Sequence, residues 1–189
     1  VNYLHLVERK DMSENTTIRK VEIERLSVTS SKPFDAVVAT LKAGVGRLDL
    51  VEFAKASKSA ANFSELEKMI GRDMGPTGLM LFIELDQGAV LRKETGLDEP
   101  KMVRLVIGNP LIMKEMAKHV PDAGSYAPVT ILVDERTEGV HLSYDRMASF
   151  LEPYANADAM KVARDLDAKV EALLAAAADD ETGTSKSKS

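Results

Sequence analysis

Residues 102–144, MVRLVIGNPLIMKEMAKHVPDAGSYAPVTILVDERTEGVHLSY, decide how this chain folds. Met102–Ile107 is apolar apart from Arg104, the composition of a buried strand. Gly108-Asn109-Pro110 then switches the chain into a helix. Asn109 suits the capping position, where its side chain accepts a free backbone N–H, and Pro110 suits the first turn, where its missing N–H has no intrahelical partner. Leu111, Ile112, Met116 and Val120 supply that helix with a buried face. After the Pro121-Asp122-Ala123-Gly124 link, Val129, Ile131 and Val133 alternate with Thr130, Leu132 and Asp134. Val140 and Leu142 alternate with His141 and Ser143 beyond a Glu138-Gly139 turn. Period-two alternation on both sides of a tight turn predicts an antiparallel hairpin, the clearest in the chain.

Upstream, Leu79–Leu85 is apolar nearly throughout, which predicts a central strand covered on at least one face. Asp86 follows it and is placed to cap a short helix over 87–95, stopped by Gly96. Residues 47–75 predict an insert of two short helices. Leu48, Leu50, Val51, Phe53 and Ala54 belong to the first; Phe63, Leu66, Met69 and Ile70 line the second, capped by Asn62 or Ser64. Such a pair is either a packed insertion or a lid and partner surface. Before it, Ser30 or Ser31 is expected to cap a helix with Pro33 in its first turn and Phe34, Val37, Val38 and Leu41 as its buried stripe, ended by Gly44 and Gly46. Residues 21–28 alternate imperfectly, which suits an edge or first strand. Downstream, Asp145 is expected to cap a short helix through Met147, Phe150 and Leu151. A long helix follows, with Met160, Ala163, Leu166, Val170, Leu173 and Ala177 at helical spacing.

The expected architecture is therefore α+β: an antiparallel or mixed sheet of about five strands packed against helices, with a two-helix insert and a long C-terminal helix. The expected layout is a flexible segment over 1–19, one domain over 20–178 and a disordered Ser/Lys/Gly/Thr tail over 179–189. Met12-Ser13-Glu14-Asn15 resembles a natural beginning more than Val1 does, so residues 1–11 read as an upstream extension.

Composition narrows the function. Apolar residues make up 44% of the 189 and charged residues 29%, which is ordinary for a soluble globular protein. A net charge of −5 argues against nucleic-acid binding, which needs clustered Lys and Arg. The absence of cysteine excludes disulfides, thiolate metal sites and cysteine nucleophiles. No apolar run approaches the ~20 residues of a membrane span, so a cytoplasmic protein is the default. His5, His119 and His141 are scattered, with no His-x-x-x-His pair, and no metal site is expected. Gly124-Ser125-Tyr126 is not a nucleophile elbow and Gly44-Val45-Gly46 is not a phosphate loop. No cofactor is expected.

Asp86, Gln87, Asn109, Tyr126 and Tyr144 all fall at strand ends or helix starts. If those ends share one edge of the sheet, the five converge beside a ligand pocket. Each also has a structural explanation. Asp86 and Asn109 have the form of helix caps, Tyr144 could tie a strand end to its surroundings, and Tyr126 suits a pocket wall or an interface. The nine methionines could line an adaptable apolar pocket or simply fill the core. Two functions fit. The first is a non-enzymatic homodimeric module that binds a small, partly apolar ligand or a protein partner through the sheet edge and the insert helices. The alternative is a cofactor-independent enzyme using Asp86 and Tyr144 in acid/base chemistry, the carboxyl being raised towards neutrality by burial.

The chain also resembles the domain-of-unknown-function family 302. The resemblance is carried by the strand ending in Gly108-Asn109-Pro110, the Pro121-Asp122-Ala123-Gly124 link, Ala127-Pro128 before a Val/Ile/Leu strand, and Ser143-Tyr144 after the hairpin. Ser31-Lys32-Pro33-Phe34-Asp35 and Phe82-Ile83-Glu84-Leu85-Asp86 add to it upstream. It implies a fold similar to the TATA-binding protein and pairing as homodimers. Two departures stand out. Gln87 occupies a position where the family usually has His, and the 47–75 insert is longer than in compact members.

Overall fold

The hairpin expected at 129–145 lies inside a six-stranded sheet, in a computed structural model that describes residues 16–179. Its arms are β5 (Val129–Arg136) and β6 (Gly139–Asp145), paired antiparallel from Ile131–Tyr144 to Arg136–Gly139. β1 (Arg25–Ser30) lies outside β6, and β4 (Met102–Gly108) lies on the other flank beside β5. β3 (Met80–Asp86) pairs antiparallel with β4, with a bulge between Leu81 and Ile83. The sixth strand, β2 (Gly46–Arg47), is only two residues long and runs parallel to β3. The order is β1-β6-β5-β4-β3-β2.

One face of the sheet carries the main core. Leu105 and Ile107 of β4, Ile131 and Val133 of β5, and Leu142 and Tyr144 of β6 are all buried there. They meet Phe34, Val37 and Leu41 of α1 (Phe34–Ala43) and Met116 of α5 (Pro110–Ala117). Across the back runs α8 (Ala157–Ala178), which buries Ala163, Leu166, Val170, Leu173 and Ala177 at the expected spacing and touches α1, α5 and β1. Each Val, Leu or Ile side chain so buried contributes about 1.5–3 kcal/mol, so this layer dominates stability.

Two clasps hold α8 to the start of the chain. Ser30 Oγ donates to the Ala178 carbonyl at 3.0 Å and Lys32 Nζ to the Ala177 carbonyl at 3.4 Å, which binds the far end of α8 to the turn after β1. At the other end, the Arg19 guanidinium lies 4.0 Å from the ring centroid of Tyr154, in a 3-10 turn over Glu152–Tyr154 just before α8.

The insert residues form α2 (Leu50–Ser59) and α3 (Phe63–Arg72), each started by a side-chain cap. Asp49 accepts from the N–H groups of Val51 and Glu52, and Asn62 from that of Glu65. They cover one corner of the second face, where Leu48, Ile70 and Met80 form a small core with Phe53, Leu66, Phe82 and Leu111. At the neck of this excursion Gly46 and Gly75 both donate to the Leu79 carbonyl, at 2.8 and 3.1 Å. Their backbones cross so closely that a Cβ on Gly46 would overlap the Asp73 carbonyl oxygen. The rest of the second face is open. Ile83 and Leu85 of β3 lie there, paired with Val106 and Arg104, and both are exposed.

Several local expectations are corrected. Pro33 precedes α1 rather than opening it, and no side chain caps that helix. Ser30 Oγ instead accepts from the Lys32 N–H while clasping α8. Gly46 begins β2 rather than ending α1. Asp145 does not cap α7 (Met147–Leu151): it stays in β6 and pairs with Arg25 at 2.6 Å. The segment over 1–15 and the tail over 180–189 lie outside the described residues.

Candidate functional site

β3 is the strand that opens a site. Its first residues, Met80 and Leu81, have β2 on one side and β4 on the other. β2 then ends, α1 packs further in, and residues Ile83–Asp86 become exposed. Between α1 and this half of β3 lies a groove of about 440 Å³. Its floor is apolar: Phe34 and Val38 from α1, Met102 and Val103 from β4. Its rim is charged and cross-braced. Lys42 on α1 reaches Glu84 on β3 at 2.7 Å, and Lys101 before β4 reaches Asp35 on α1 at 2.8 Å. The bond to Asp35 raises the Lys101 ammonium above its ordinary range.

Asp86 sits on this rim. Its carboxylate accepts from the Ala89 N–H at 2.9 Å, capping α4 (Gly88–Thr95), and takes Arg92 Nη2 at 2.6 Å. The bond from Arg92 holds its carboxyl below the usual carboxylate range, the reverse of what a general acid near neutral pH requires. Gln87 is exposed and is outside the groove lining.

The other three candidates lie elsewhere. Asn109 follows Gly108, which pairs with Met80, whereas Asp86 pairs with Val103, so the two stand at opposite ends of β3–β4, about 20 Å apart along the strands. Asn109 is buried, accepts from the Leu111 N–H at 2.8 Å and donates to the Gly78 carbonyl at 2.9 Å. Tyr126, in α6 (Ala123–Tyr126), is at the same end. It stacks on Phe150 with centroids 4.8 Å apart and meets the Tyr154 hydroxyl at 3.1 Å. Tyr154 in turn donates to Asp122 at 2.7 Å, and these two bonds raise its phenol, that from Tyr126 first.

Tyr144 is separated from Asp86 by β4 and β5, three strand spacings or about 14 Å, with core side chains between. Its hydroxyl donates at 2.5 Å to Asp167, which sits on α8 and is itself buried. Burial, then the Asp167 charge, pushes the Tyr144 phenol far above its ordinary value. Asp167 also accepts from the N–H groups of Met147 and Ala148, at 2.7 and 3.0 Å, and so caps α7 from a different element. The expected convergence of five polar groups on one rim therefore fails, and so does acid/base chemistry shared by Asp86 and Tyr144. The first depended on strand ends pointing the same way; antiparallel pairing sends them to opposite ends.

A second cleft, of about 410 Å³, lies between α7 and α8 beside Arg146, which is bound by Glu24 at 3.2 Å and Glu171 at 2.6 Å. Its walls are mostly charged, and Glu24, Arg146, Asp167 and Glu171 among them are already paired. Among the described residues no three His, Asp or Glu side chains are placed to hold a metal ion, and no helix is long and apolar enough to cross a membrane.

Sheet, backing helices and groove together define an α+β protein with a crevice beside an under-covered strand. The chain belongs to the family described as Domain of unknown function DUF302, which matches residues 53–177. That match begins in α2 and ends in α8, leaving β1, α1 and β2 outside it. Among solved structures, the uncharacterized conserved protein DUF302 from Bacillus stearothermophilus is similar, with a TM-score of 0.55 and 15% identity. The likeness covers 81% of this chain and 97% of that one, and at such identity it speaks for the fold alone. No curated protein matches the chain.

Proposed function

We propose that the chain is a binding module, without chemistry of its own, that takes a small, partly apolar ligand in the groove between α1 and the second half of β3. The observation that carries this is the groove's construction: an apolar floor of Phe34, Val38, Met102 and Val103 inside a braced charged rim. Ligand sites commonly pair an apolar lining with a few placed polar groups. Asp86 contributes to the rim, while Asn109, Tyr126 and Tyr144 serve the architecture. Val38 is half-buried at the groove wall, so Val38→Trp should fill the space without entering the main core. In a fragment screen followed by amide chemical shifts, wild-type protein should bind weakly apolar fragments at residues 34–38 and 102–103. Val38→Trp should lose that binding at least tenfold. Fragments that bind the variant equally well would overturn the reading.

A second surface supports the homodimer. Ile83 and Leu85 are 40% and 42% exposed on the open sheet face, beside an edge of β3 that β2 leaves unpaired. Such an edge invites another strand or face. Sedimentation should find a dimer, and Ile83→Lys with Leu85→Lys should convert it to a monomer while leaving the fold intact; a monomeric wild type would refute this. The same proposal includes a cytoplasmic setting, supported by a sequence without cysteine.

A further inference from the structure

We infer that the ligand of this groove carries a single positive charge beside its apolar body, as an organic amine does; the inference rests on the binding role proposed above. Four carboxylates line the groove: Asp35, Glu84, Asp86 and Asp98. Three are matched, Asp35 by Lys101, Glu84 by Lys42 and Asp86 by Arg92. Asp98, in the loop between α4 and β4, has no hydrogen-bond or ion-pair partner among the described residues. The cations of the rim are all engaged, so an anionic ligand would have to pull one from its carboxylate and leave that carboxylate bare. A neutral ligand would cover Asp98 with nothing to meet it. An ammonium group satisfies Asp98 without breaking any existing pair, while the attached hydrocarbon covers the floor.

The Phe34 ring is already approached by Lys101, whose Nζ lies 5.7 Å from the centroid and pairs with Asp35, so the added ammonium is held by Asp98 and the ring meets the hydrocarbon. Burying a charged group beside an apolar wall strengthens its bond to a carboxylate relative to open water, although a rim this exposed limits the gain.

Three probes of equal length separate the possibilities: hexylamine, 1-hexanol and hexanoate, each titrated into the full chain and followed by backbone amide shifts. Wild-type protein should bind hexylamine about fivefold more tightly than 1-hexanol, and hexanoate most weakly, with the shifts centred on residues 34–38 and 98–103. Asp98→Asn, a change at an exposed and partnerless side chain, should reduce hexylamine to the affinity of 1-hexanol and leave 1-hexanol unchanged. Added salt should narrow the wild-type gap. Equal binding of amine and alcohol, or an amine preference that survives Asp98→Asn, would overturn the charge inference and leave the groove reading standing. If none of the three perturbs the groove amides, the groove reading itself falls.

Discussion

Asp167→Ala should destabilise the protein by about 3 kcal/mol, because it removes one acceptor from three donors at once. The Tyr144 hydroxyl and the N–H groups of Met147 and Ala148 all end on that carboxylate; without it the hydroxyl and the Ala148 N–H lose their acceptor and the Met147 N–H keeps only the Tyr144 oxygen, at 3.4 Å. Tyr144→Phe should cost less, about 1–2 kcal/mol, since Asp167 keeps both backbone donors. Urea denaturation measures both; a loss under 1 kcal/mol for Asp167→Ala would show that the network is dispensable. The pair also predicts a pH dependence. Tyr144 is a group whose neutral form is favoured by folding, its folded pKa lying above the ordinary 10.0. Below pH 10 the tyrosine is neutral in both states and stability is undiminished. Above pH 10 the unfolded chain releases the phenolic proton while the folded chain retains it, so stability falls, by up to about 1.4 kcal/mol per pH unit. Tyr144→Phe should lack this component, and the difference between the two pH profiles isolates it.

Gly46→Ala should be at least as damaging, at about 3 kcal/mol or more. The atoms in the way are the Asp73 carbonyl and the Gly75 backbone, which cannot rotate aside as a side chain can. Relief requires prising apart the neck where Gly46 and Gly75 share the Leu79 carbonyl, so the small core of Leu48, Ile70 and Met80 should loosen first. Hydrogen exchange would show protection lost in α2 and α3 while β5 and β6 stay closed. Gly124→Ala is the control. Nothing lies within 4 Å of a Cβ there and the residue is helical, so that change should be neutral or slightly stabilising. Equal effects from both substitutions would contradict the crossing.

Much of this fold is legible wherever a pattern repeats along the chain. The alternation over 129–133 and 140–142 places β5 and β6, and the spacing of Ala163, Leu166, Val170 and Leu173 places α8 and its buried face. Asn62 and Asn109 cap as their neighbours imply. What fails is what depends on distant partners. Asp167 is one charged residue in a helix rich in them, and its role comes from α7 and β6, 19 to 23 residues away. Asp145 has the form of a local cap, yet Arg25 across the sheet claims it. Gly46–Arg47 is too short to show any period. Strand ends in a sequence do not reveal the strand order, and the groove arises instead from where β2 stops and α1 packs, which no short motif encodes. Only Asp86 belongs to both the expected rim and the groove.

The clasps on α8 hold the segment before β1 and the last turn of the helix at opposite poles. Arg19 is pinned beside Tyr154 at one pole, and Ala178 is tied to Ser30 at the other. A helix of 22 residues separates them, a span of about 33 Å. A chain that joined Arg19 directly to Ala178 would therefore need about ten or more extended residues to bridge that gap. Reporter groups attached at residues 19 and 178 would accordingly sit too far apart to touch.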